Sequence, residues 1–197
     1  MGKYGAGNDH YCYPDSAVLK NRLNIREMSL LESAERDITS FTIQQIDFEP
    51  PPYNIDYLQK LHYQLFSELY EWAGEIRDID ISKGRTRFCT YSRIEVEAQR
   101  LFLTLEGEGW LQGLDKAHFC IKLAEYYIEF NMIHPFREGN GRVQRLFFEH
   151  LVLANGFILD WGKVGSDEWL NANIHGFYVN YQPMENIFNR IVNQVDN

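Results

Sequence analysis

Along NIDYLQKLHYQLFSELYEWAG, residues 54–74, Tyr57, Leu58, Leu61, Leu65, Phe66 and Leu69 fall at helical spacing. They share one face of an amphipathic helix that Gly74 is placed to stop. In AHFCIKLAEYYIEFNMI, residues 117–133, polar positions shrink to a stripe of Lys122, Glu125 and Glu129. Such an element is buried on most sides, so it is expected to be the central helix, capped by Asp115. Val143, Leu146, Phe147, Leu151 and Ala154 predict a third amphipathic helix, ended by Asn155-Gly156. Upstream, Asn24 followed by Glu27 reads as a capping pair opening a helix that the EPPPYN run ends, and Ser92 is placed to cap a helix through Leu105. Two more helices are expected near 166–178 and 184–195, the second after Pro183.

The period changes once. RDIDISKGRTRFCTY, residues 77–91, alternates apolar and polar positions, with Ile79, Ile81, Phe88 and Tyr91 as facing residues and a turn at Lys83-Gly84. This predicts a β-hairpin over about 78–91, the only one in the chain. The Gly-containing stretch 1–15 reads as an irregular arm. The expected fold class is all-α with one appended hairpin.

Composition narrows the function. At 197 residues and 45% hydrophobic content, the chain fits one domain over 1–197 with a real core. A net charge of -9 repels phosphate backbones and anionic membranes, which argues against direct nucleic-acid binding. Cys12, Cys89 and Cys120 lack metal-site spacing and fit free thiols in a reducing compartment, so the cytoplasm is the expected location. No window approaches the ~18 apolar residues of a spanning helix.

Between the two most apolar helices lies HPFREGNGR, residues 134–142. His134 ends the central helix on the face of Tyr127 and Phe130, so its imidazole should point into a cleft; a lone His there is more often a core residue. Pro135 and Phe136 fix the turn. Gly139-Asn140-Gly141 supplies backbone able to adopt positive φ, with bare N–H groups at a helix start, which is the recipe for an anion nest. Arg142 and Arg145 share a helical face beside it. Cations at a helix N-terminus oppose its dipole unless an anion sits between them. Glu138 would repel a phosphate unless a divalent cation intervened, and one carboxylate plus phosphate oxygens describes Mg²⁺. A nucleoside triphosphate with Mg²⁺ satisfies every group, leaving His134 to take a proton from a hydroxyl attacking phosphorus.

HPFREGNGR resembles the core motif of the Fic family, HPFx(D/E)GN(G/K)R, at every defined position. LHYQLFSELYEWAGEIR resembles the family's helix before the flap, and DISKGRTRFC the flap hairpin. The resemblance implies a helical Fic domain with a hairpin flap over the active site. It implies AMP transfer from ATP to a Ser, Thr or Tyr hydroxyl of a target protein, with Mg²⁺. His134 would be general base and Glu138 the Mg²⁺ ligand. Gly139, Asn140 and Gly141 would cradle phosphate, Arg142 would clamp the distal phosphates, and Arg145 resembles a second family arginine. Ser82, Lys83, Gly84, Arg85 and Thr86 would dock the target by strand addition. In WLNANIHGFYVNY, Asn173 and nearby aromatics could line a pocket or could be core.

Many Fic proteins are restrained by a helix carrying (S/T)xxxE(G/N), whose Glu pairs with the motif arginine. The one literal match, Thr104 to Gly109 in TLEGEG, contains Gly107 and Gly109, which should break the helix that the motif needs. The opening YCYPDSAVLKNRLNI resembles stand-alone Fic toxins whose inhibitor is a separate antitoxin. Arg142 is therefore expected to stand unpaired until a partner supplies a carboxylate. Rival readings are a Fic-fold kinase or another nucleotidyl or phosphocholine transferase, a non-catalytic protein-binding module, and a metal-dependent hydrolase, for which His118 and His150 do not supply ligands at short spacing. By family analogy a type II topoisomerase subunit is a candidate target.

Overall fold

A computed structural model describes residues 9–195; the rest of the expected arm, residues 1–8, lies outside them. Seven α-helices are present among the described residues: α1 Met28–Thr42, α2 Ile55–Phe66, α3 Ile94–Gly107, α4 Lys116–Ile133, α5 Asn140–Ala154, α6 Ser166–Phe177 and α7 Gln182–Ile191. The hairpin joins β1 Ser82–Lys83 to β2 Thr86–Arg87, with Ser82 opposite Arg87 and Lys83 opposite Thr86. Its turn is Gly84-Arg85, one residue later than the alternation suggests, because Gly84 takes the positive φ of 59°.

α4 is the central helix, packed by α3, α5, α6 and α7. Phe119, Cys120, Leu123, Ala124, Tyr127 and Ile128 all face inward from it. Asp115 caps it by accepting from the His118 amide at 3.0 Å, and Pro135 ends it, since a residue before proline avoids the αR region.

Several boundaries differ from the sequence expectation. α1 begins at Met28, because the Asn21 side chain bonds the Leu19 carbonyl and both backbone groups of Ile25 and holds 21–25 as a loop. Asn24 sits in that loop at φ 54°, and Glu27 is an N-cap without a side-chain bond. α2 stops at Phe66 rather than running to Gly74. The Gly74 amide donates to His62 Nδ1 at 2.8 Å and Gln59 donates to the Gly74 carbonyl at 2.9 Å, folding the segment back on α2. At α3, a short 3₁₀ turn at Tyr91–Arg93 precedes the helix, and Ser92 makes no cap.

The hairpin is not the only strand pair. β3 Phe157–Leu159 joins β4 Val192–Gln194 antiparallel, so the expected last helix ends at Ile191. Strands this short carry no readable alternation, and their partners are far apart in sequence. No helix among the described residues is long and apolar enough to cross a membrane.

α6 meets α4 where Gly176 faces Ile128; an added Cβ would lie 2.4 Å from Ile128 Cδ1 and 2.7 Å from two further Ile128 carbons. Gly176→Ala is therefore expected to destabilise the fold by about 1–3 kcal/mol despite the better helix propensity of Ala, because the clash is overpacking. Chemical denaturation measures it; an unchanged or raised midpoint would show that the α4–α6 contact gives way freely.

Candidate active site

The loop between α4 and α5 carries the polar cluster, and its geometry is fixed from beneath. His134 takes φ 48°, a left-handed conformation rare for a residue with a side chain, and Gly139 takes φ 79°. Carbonyls along the loop meet buried donors. Arg77 Nε donates to the His134 carbonyl at 2.9 Å, and the Arg77 amide donates to the Pro135 carbonyl at 2.9 Å. Asn140 Nδ2 donates to the Phe136 carbonyl at 2.7 Å while its Oδ1 accepts from the Phe136 amide at 2.8 Å. His62 Nε2 reaches the Glu138 carbonyl at 3.1 Å.

Arg77, 1% exposed, also donates to the Ile79 and Cys89 carbonyls at 2.6 and 2.5 Å, so one guanidinium ties both feet of the hairpin to the end of α4. Phe88, beside β2, stacks on the His134 ring at 3.7 Å between centroids and 10° between planes. With Ile79 and Ile81 it forms a small apolar cluster of its own under the hairpin. His134 Nδ1 lies 3.1 Å from the Asn131 carbonyl, an acceptor only, so Nδ1 carries the proton and Nε2 is the basic nitrogen.

A cleft of about 680 Å³ opens above the loop, lined by His134, Glu138, Gly139, Gly141, Arg142 and Arg145 on one side. Lys83, Gly84, Arg85 and Thr86 of the hairpin overhang it; Ser82 is not in the lining. Trp169, Asn173, Phe177 and Tyr178 close the α6 end, which resolves the ambiguity of that segment toward a pocket wall. Asn173 Oδ1 accepts from Asn131 at 3.0 Å.

Two residues behave differently from the expectation. Asn140, 3% exposed, spends its side chain on the Phe136 backbone, so any anion contact from this position falls to its backbone N–H. Arg142 is paired, not open: one terminal nitrogen bonds Glu35 of α1 and the other donates to Thr39 at 3.2 Å. Glu35 was missed because its partner lies across the fold and nothing in α1's pattern marks it. Arg145 lines the cleft with no hydrogen bond or ion pair among the described residues. The Gly139 amide donates to its neighbour Glu138 Oε1 at 2.9 Å, so that carboxylate already rests against the nest.

Arg137, the motif's variable position, is buried and donates to Asp9 at 3.0 Å through Nε, pinning the N-terminal segment to the loop. Burial pushes Asp9 up, but Arg137 together with the bonds from Cys12 and the Tyr11 amide outweighs it, and the Asp9 carboxyl lies below the usual range. Glu108 of the TLEGEG match bonds Lys122 at 3.0 Å and so is committed to α4 rather than to the cleft, although α3 does continue through Gly107. His118 pairs with Asp115 on the surface at 2.6 Å, whereas His150 is buried against the Tyr57 hydroxyl at 2.5 Å. Among the described residues no group of three His, Cys, Asp or Glu gathers to hold a metal.

Helices around an apolar central helix, a hairpin overhanging a cleft, and an imidazole beside two arginines and two glycines at a helix start define a class of helical protein with a cationic cleft under a β-hairpin. The chain belongs to the Fic/DOC family, whose model matches residues 52–152. It is 39% identical over 192 residues to "Probable protein adenylyltransferase Fic" of Escherichia coli (strain K12), covering 98% of this chain and 96% of that protein. It is 36% identical over 193 residues to "Protein adenylyltransferase VbhT" of Bartonella schoenbuchensis, covering 96% of this chain but 40% of that protein. Among solved structures, the BepC protein of Bartonella tribocorum with bound AMPPNP superposes with a TM-score of 0.86 at 29% identity, covering 94% of this chain and 97% of that one.

His62 is fully buried, between the Gly74 amide, which donates to Nδ1, and the Glu138 carbonyl, which accepts from Nε2; burial pushes its pKa down to about 3. A histidine depressed in the folded state binds its proton only on unfolding, so its contribution is fully present above about 6.5 and is lost as pH falls toward about 3. The slope per group approaches about 1.4 kcal/mol per pH unit within that window. His62→Gln is expected to flatten the stability–pH curve between about pH 6 and 4, read by denaturation at each pH. A variant curve parallel to the parent's would refute the neutral buried imidazole.

Proposed function

We propose that this chain is a Mg²⁺-dependent protein adenylyltransferase in which His134 is the general base and the loop of residues 139–141, with Arg142 and Arg145, holds the triphosphate of ATP. The observation that supports this most is the convergence of His134, Glu138, both glycines and both arginines on one cleft beneath the hairpin. A target hydroxyl attacks the α-phosphorus, its proton passes to His134 Nε2, the bond to the bridging oxygen breaks, and pyrophosphate leaves. The bond from His134 Nδ1 to Asn131 sets that tautomer, and the Phe88 ring limits rotation of the imidazole.

Glu138 fits the cation: a single buried carboxylate lines the cleft, and an ion completed by phosphate oxygens and water needs no larger protein cage. When bound, the ion would neutralise phosphate charge. The α6 end, with Trp169, Asn173, Phe177 and Tyr178, offers flat apolar surface for the adenine. The hairpin, with its ladder spanning only Ser82–Lys83 and Thr86–Arg87, presents an edge over the imidazole to which a target strand can add. A protein in the cytoplasm is the intended substrate class, with a type II topoisomerase subunit the first target to assay.

His134→Ala is expected to lower transfer about 10²–10⁴-fold while ATP binding persists, since the imidazole acts on the hydroxyl and not on the nucleotide. Label should pass to protein from ATP labelled at the α-phosphate and not at the γ-phosphate. Transfer of the γ label, or undiminished labelling by the variant, would replace this reading with the kinase one or remove His134 from it.

Control follows from the unequal arginines. Arg142 is already met by Glu35, so of the two α5 arginines Arg145 is the one open to an inhibitory carboxylate. A small antitoxin whose (S/T)xxxE(G/N) helix presents Glu to Arg145 would occupy phosphate space. Expressed alone, the chain should arrest growth; the partner should rescue it, and the partner's Glu→Gly form should bind without rescuing. Rescue that survives that change would place inhibition elsewhere.

A further inference from the structure

Arg142 is set by groups that lie outside the cleft. Its guanidinium reaches back from the first turn of α5 to Glu35 and Thr39 on α1 and sits 4.8 Å from the Phe66 ring centroid. Glu35 is 8% exposed, and its other oxygen accepts from the Tyr70 hydroxyl. Neither Glu35, Thr39, Phe66 nor Tyr70 belongs to the cleft lining, whereas Arg142 does. The carboxylate therefore does not occupy anion space; it stands behind the arginine.

We infer that Glu35 is the positioning residue for Arg142, a buried carboxylate that fixes the guanidinium toward the phosphates of the nucleotide; this rests on the reading of the cleft as an ATP site. Three physical points carry it. A cation in the first turn of a helix opposes the dipole, and Glu35 offsets that cost before any ligand arrives. A guanidinium has five N–H donors, so bonds to Glu35 and Thr39 leave others for phosphate. Holding the side chain between Glu35, Thr39 and the Phe66 face removes its rotamer freedom during folding, so that ordering no longer weighs against binding. Tyr70 in turn fixes Glu35, extending the support from α1 and α5 to the segment after α2. Glu35 lies outside residues 52–152, the part that matches the family model.

The test is calorimetric binding of ATP and of adenosine to Glu35→Gln, Tyr70→Phe, Arg142→Ala and the double variants of each with Arg142→Ala, with melting curves to confirm folding. Glu35→Gln is expected to weaken ATP about tenfold or more, the size of a lost charge-assisted bond, and to leave adenosine unchanged. Tyr70→Phe should weaken ATP less and in the same direction. Both effects should vanish on the Arg142→Ala background, which a merely structural role would not produce. In transfer assays the ATP KM should rise more than kcat falls. ATP binding that Glu35→Gln leaves unchanged or tightens, or losses that add to those of Arg142→Ala, would overturn the positioning role alone. Failure of the unaltered chain to bind ATP at all would overturn the nucleotide reading and this role with it.

Discussion

The backbone of residues 133–138 turns through buried surroundings, and buried carbonyls there need donors that water cannot provide. Arg77, Asn140 and His62 supply them, bonding the carbonyls of His134, Pro135, Phe136 and Glu138. Everything else at the site depends on that set. It holds His134 in the left-handed region with its side chain in the cleft lining, and it sets Gly139, at φ 79°, as the residue that opens α5. Because Arg77 also bonds both feet of the hairpin, the hairpin and the imidazole share one anchor.

The charged groups divide by depth. Arg77 and Arg137 are buried and serve the scaffold, the first through carbonyls and the second through Asp9. Arg142 is intermediate, supported from behind by Glu35 and lining the cleft in front, where Glu138 Oε1 comes within 3.9 Å of it. Arg145 faces the cleft with no side-chain hydrogen bond or ion pair among the described residues, as do Lys83 and Arg85 of the hairpin, and these three carry its least compensated positive charge. A net charge of -9 on the whole chain thus coexists with a cleft lined by Lys83, Arg85, Arg142 and Arg145, which suits a nucleotide.

Much of this was legible in the chain itself, for identifiable reasons. The all-α class followed from long helical periods; the hairpin followed from the single change of period at 77–91; and the loop was conspicuous because His, Glu, Asn, two Arg and two Gly interrupt two apolar helices. Boundaries shifted where side chains bond backbone and override helical propensity, as Asn21 does just before α1 and His62 does at Gly74. The β3–β4 pair failed because residues 157–159 and 192–194 acquire strand character only from each other.

Local periodicity and local composition, then, determined the helices, the hairpin and the cluster of residues 134–142, because burial pattern and backbone freedom are properties of neighbouring residues. Only the tertiary structure decided which arginine is paired, that the Asn140 side chain turns to the loop instead of the cleft, and that Glu35 stands behind Arg142. The arginine pairing hinges on the approach of α1 to α5, and the Asn140 bonds on the path of the loop; neither leaves a period in a sequence.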